Sequence, residues 1–148
     1  MTSLHKELVN ILEKEKALLG NLYSIVSEER DAIVGLKSAE LERILRDKEQ
    51  ALVKLSLWEE EREKLLKKHG LNGSCLSEIL KNADNEESDE ISRLQELYKN
   101  MKTLLCAIAE IQKINEQLID RSIVHIGTAV KFLESFGITA RQNFSKEV

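Results

Sequence analysis

Four charged residues stand where apolar side chains are due. Glu15 and Glu29 lie fourteen residues apart within the apolar face of a first helical stretch. Lys48 and Arg62, also fourteen apart, interrupt the stripe of a second. A carboxylate on such a face has two chemistries open to it. It can act as a general base or ligand anchor, or it can meet a cation on the next helix and fix register. The second reading is favoured by arithmetic. Facing residues of two antiparallel helices keep a constant sum of residue numbers, and Glu15/Arg62 and Glu29/Lys48 share one sum. That sum centres the turn between Ser38 and Ala39, where the sequence itself breaks. The same register sets Leu22 against Leu55, Ile25 against Leu52 and Ile11 against Leu66. A one-turn slip would face charges with apolar side chains, at several kcal/mol each.

Reactive constellations are missing. No ExxH pair, HExxH, CxxC, Walker loop or GxSxG occurs, and His5, His69 and His125 are isolated in sequence. Without a nucleophile–base pair, a metal cluster or a cofactor motif, the reading is a non-enzyme that takes neither cofactor nor metal. Cys75 and Cys106 are too far apart for a ligand pair, and Cys106 is expected as a small buried hydrophobe. Aromatic residues make up 4% and the net charge is −4, which argues against a nucleic-acid surface. No apolar run reaches membrane-span length and no signal-peptide pattern opens the chain, so no membrane insertion and a cytoplasmic location are expected.

The elements that hold these residues are helical. Proline is absent, and charged residues at 32% suit solvated helix faces. The spacing predicts an all-α fold in a single domain, residues 1–148, an elongated three-helix bundle or coiled coil. Helix one spans 3–34, with rows at Leu4, Ile11, Leu18, Ile25 and at Leu12, Leu19, Val26, Ile33, capped by Thr2 or Ser3 and stopped by Gly35. Helix two spans 39–69, capped by Ser38, with Leu41, Ile44, Leu45, Ala51, Leu52, Leu55, Trp58, Leu65 and Leu66 as its stripe and Gly70 as its stop. A connector follows. Ser74 caps a short helix, 74–82, whose Leu76, Ile79 and Leu80 close the base of the bundle; 82–88 is an acidic loop. Ser88 caps a long helix, 89–136, along which Gln112 and Asn115 place polar groups that either bond across the bundle or mark where its core thins. Gly127 is a place for a bend, Gly137 a stop, and 138–148 a flexible tail.

The long helix outruns its companions. At about 1.5 Å per residue the first two reach roughly 45 Å and the third roughly 70 Å. Its far end carries Leu118, Ile119, Ile123, Ile126, Val130, Phe132, Leu133 and Phe136, an apolar stripe offered to a partner helix. In the absence of a partner, a bend at Gly127 or a homo-oligomer would cover it. A coiled-coil adaptor would show similar heptads, but the short links at Gly35–Ser38 and Gly70–Gly73 favour a folded-back bundle.

Several motifs then match one family in order and spacing, over roughly Leu4 to Leu133. They are Glu28-Glu29 closing a leucine-rich helix, Leu41-x-x-Ile44-x-x-x-Lys48, Glu59-x-x-Arg62, and Asn115-Glu116-x-Leu118-Ile119 followed by Ile123, Ala129, Val130 and Leu133. The chain resembles the FlgN family, flagellar type III export chaperones for hook–filament junction proteins. The resemblance implies a cytoplasmic protein that binds unexported hook-associated proteins, keeps them from assembling early and delivers them to the export gate and its ATPase complex. The family commonly ends in a Tyr-Gly tail implicated in gate contact; here that region reads Asn143-Phe144-Ser145.

Overall fold

The computed structural model describes residues 2–71, 73, 75–82, 88–135 and 137, the side chains of Thr2, Asn82 and 122–126 excepted. They form four helices: α1 Thr2–Val34, α2 Ser38–Lys68, α3 Leu76–Asn82 and α4 Asp89–Ser135. No strand occurs among the described residues. The proposed Ser74 cap and the tail 138–148 lie outside them.

The helix ends follow from local chemistry. At the end of α2, Gly70 takes a positive φ of 72°, its N–H bonds Lys67 C=O at 3.1 Å, and Leu71 N–H reaches Leu66 C=O at 2.8 Å. These two bonds satisfy carbonyls that the helix would leave open, and glycine accepts the left-handed conformation without steric cost. At the end of α1 the same motif forms one residue later than expected. Leu36, not Gly35, takes the positive φ of 53°, with Leu36 N–H on Ile33 C=O and Lys37 N–H on Ala32 C=O. Ser38 also departs from expectation. It is the first residue inside α2, and Lys37 occupies the cap position with no side-chain cap bond. Ser88 does cap α4, its Oγ accepting Ile91 N–H at 3.2 Å.

α1 is the central element, packed against both α2 and α4. Among the described residues no Cα of α2 comes within 8 Å of a Cα of α4. This explains why α1 needs its wide apolar face while its companions bury only a narrow stripe. Two clusters fill the contacts. One holds Leu4, Leu8 and Leu12 of α1 with Leu65 and Leu66 of α2, Ile79 and Leu80 of α3, and Leu94 and Leu97 of α4. The other gathers Leu22, Ile25, Val26 and Ala32 around Ile44, Ala51 and Ile111. Ile108 packs against both. Each fully buried leucine contributes about 2 kcal/mol through removal of apolar area from water.

Two expectations about burial fail. Cys106 is exposed, because Leu104 and Ile108, two residues to either side, turn toward the core and leave position 106 on the opposite side of the helix. Leu45 and Leu52 are nearly half exposed, because the side of α2 they occupy has no backbone neighbour from α4. α4 continues through Gly127 as one α-helix.

Candidate functional site

The charges singled out by spacing pair as their register requires. Arg62 Nη1 donates to Glu15 Oε2 at 2.9 Å. Lys48 Nζ donates to both Glu29 oxygens, at 3.3 and 3.4 Å. Both carboxylate side chains are buried, while Arg62 and Lys48 keep partial access to water. Two contacts whose residue-number sums agree can coexist only if α1 and α2 run in opposite directions. Glu15, Arg62, Glu29 and Lys48 thus tie helices together, and the structure offers them no reactive partner among the described residues.

Burial is the dominant influence on Glu15 and raises its pKa from the ordinary value of 4.5. The Arg62 guanidinium opposes that rise, and the nearby Glu59 carboxylate adds to it. Glu15 Oε1 has no hydrogen-bond partner. A carboxylate bound through one oxygen only is under-solvated, which is consistent with the upward shift.

Around Glu29 the polar groups of all three long helices converge. Lys48 Nζ also donates to Gln112 Oε1 at 2.6 Å. Asn115, fully buried, donates from Nδ2 to Glu29 Oε1 at 2.7 Å and to Val26 C=O at 3.0 Å. Gln112 and Asn115 thus do bond across the bundle. Asn115 links α4 to α1, and a lone Asn in an apolar stripe is the sequence signal of such a register device.

These contacts also fix the relative lengths. Arg93 of α4 meets Glu13 of α1, and Asn115 meets Val26 and Glu29, so α4 runs alongside α1 in the same direction. α1 ends at Val34, five residues after Glu29, whereas α4 continues to Ser135, twenty after Asn115. The difference is about 22 Å of helix. Before that point α4 buries Ile91, Leu94, Leu97, Met101, Ile111 and Asn115. After it, none of the described side chains is buried. Leu118, Val130 and Leu133 are half-buried, and Ile119 and Phe132 are 43% and 64% exposed. Ile123, Ile126 and Phe136 of the expected stripe lie outside the described side chains, as does His125.

Among the described residues no group of three or more His, Cys, Asp or Glu could hold a metal ion. No helix among them is long and apolar enough to cross a membrane. Beyond Asn115, α4 presents partly exposed apolar side chains, Leu118, Ile119, Val130, Phe132 and Leu133. The FlgN protein family model matches residues 1–137, and the chain belongs to that family. Its members are flagellar export chaperones, so the class of protein is a carrier of other flagellar proteins. No curated protein and no solved structure matches the chain.

Proposed function

We propose that the protein acts in the cytoplasm as an export chaperone for hook-associated proteins. It holds their amphipathic terminal helices against the end of α4, prevents their early assembly and delivers them to the flagellar type III export apparatus. In this reading the chain is one domain, an antiparallel α1–α2 hairpin with a long helix laid along it. Leu118, Ile119, Ile123, Ile126, Val130, Phe132, Leu133 and Phe136 form the client surface.

The observation that carries the reading is the loss of burial along α4 beyond Asn115, in a stretch that keeps its apolar residues. A client helix packed there gains about 25 cal/mol per Å² of apolar area, and the ordering of two helices offsets much of that gain. Moderate, reversible affinity suits a carrier that must release. The test is Val130→Asp with Leu133→Asp, assayed by binding to purified hook-associated subunits. Helix content and melting should stay near those of the parent, because neither position is buried. Binding should weaken at least about tenfold. Unchanged affinity in a folded variant refutes the assignment.

A further inference from the structure

A second surface lies between α2 and α4, away from the end of α4. Lys48 of α2 reaches Gln112 of α4 at 2.6 Å although the two helix backbones stay more than 8 Å apart. That long side chain bridges a cleft. Leu45 and Leu52 flank Lys48 at helical spacing, and Leu105 lies one heptad before Gln112. All three leucines are about half exposed: 48%, 46% and 51%. Half-buried Leu55 and Ile108 lie between them and the core. The cleft therefore has apolar walls on both helices and one polar bridge across its middle.

Its two rims differ in charge. On α2 the outer row at seven-residue spacing reads Glu42, Glu49, Ser56, Glu63, all exposed. None of the three glutamates makes an ion pair among the described residues. On α4 the corresponding row reads Lys102, Ala109, Glu116 and carries no net charge. We infer that this cleft receives one amphipathic helix of a protein partner, with leucine-like residues at heptad spacing and lysine or arginine along the edge that meets α2. The acidic rim argues against a second copy of this chain, since a two-fold pairing of α2 faces would set one glutamate row against another. The helix's owner is named as the exported client only on the strength of the proposed function. The cleft itself does not depend on that name.

The test uses the full chain and two synthetic peptides of about three heptads, with the same leucine stripe and either lysine or glutamate along both edges. Fluorescence anisotropy should give at least about tenfold tighter binding of the lysine peptide at physiological ionic strength, with the difference shrinking in high salt. Leu45→Asp with Leu52→Asp should abolish that binding. Each aspartate adds negative charge, so the loss cannot be attributed to weaker attraction of a basic peptide. Val130→Asp with Leu133→Asp should leave it intact. Equal binding of the two peptides, or loss only in the Val130/Leu133 variant, overturns the inference. So does self-association of the parent chain that Leu45→Asp and Leu52→Asp dissolve. Competition by the hook-associated subunit tests ownership separately. If the subunit binds the chaperone but fails to displace the lysine peptide, the client is not the helix in the cleft.

Discussion

Replacing Asn115 by alanine should destabilise the protein more than any other single polar change in α4. Asn115 is fully buried and supplies two bonds to α1: one to the Glu29 carboxylate at 2.7 Å and one to Val26 C=O at 3.0 Å. A bond to a charged acceptor is worth about 1.5–3 kcal/mol and a neutral one about 1 kcal/mol. Alanine removes both and leaves Glu29 Oε1 with only the 3.4 Å contact from Lys48 Nζ. The expected loss is about 3 kcal/mol, a large part of the 5–15 kcal/mol that holds a typical domain. Urea unfolding followed by helical circular dichroism should show the midpoint falling by about 1.5 M at an unchanged slope near 2 kcal/mol per M. A cycle with Glu29→Ala sharpens the test. With no carboxylate present, Asn115→Ala should cost at least about 1 kcal/mol less, because the two residues share a bond. A loss under about 0.5 kcal/mol, or additive effects of the two substitutions, would refute the claim that this amide ties α4 to α1 through Glu29.

Two other changes follow from the same geometry. Glu15 has its pKa raised in the folded state, so between 4.5 and that higher value the native chain binds more protons than the unfolded one. Its contribution is therefore full below about 4.5 and is lost as pH rises through the folded value. Glu15→Gln should flatten that decline in melting temperature across the window; an unchanged pH profile would exclude Glu15 as its source. Leu36 is 81% exposed and holds a left-handed backbone that glycine adopts freely. Leu36→Gly should raise stability by up to about 1 kcal/mol in denaturant titration, and a loss of stability would show that the strain is not there.

Much of the scaffold is legible in the residues because charge and periodicity constrain each other. An apolar stripe alone allows several registers, but Glu15, Glu29, Lys48 and Arg62 accept only one, and the ion pairs observed are that one. Gly70 and Ser88 mark helix ends where a left-handed turn and an oxygen cap are needed. Exposure is harder to read. Periodicity says which face of α2 is apolar, not how many helices that face meets, so Leu45 and Leu52 look like core residues until the separation of α2 from α4 is known. The turn after α1 is obscured in a different way. Gly35 sits beside the position that needs a positive φ, and hydrogen bonds to Ile33 and Ala32 put Leu36 there instead.

The placement of the polar cluster ties stability to the proposed client surface. Glu29, Lys48, Gln112 and Asn115 lie where α4 stops burying side chains. An apolar layer there would be free to slide by a turn, since dispersion and area burial are nearly indifferent to register. Slippage of α4 by one turn would draw about 5 Å of the apolar end alongside α1, or push as much of the core segment out. The buried amide and carboxylate forbid both, because either shift strands Glu29 and Asn115 without partners. The same cluster spans the cleft through Lys48 and so holds α2 and α4 at their separation. One polar layer thereby sets how far α4 extends past α1 and how wide the cleft beside it stands.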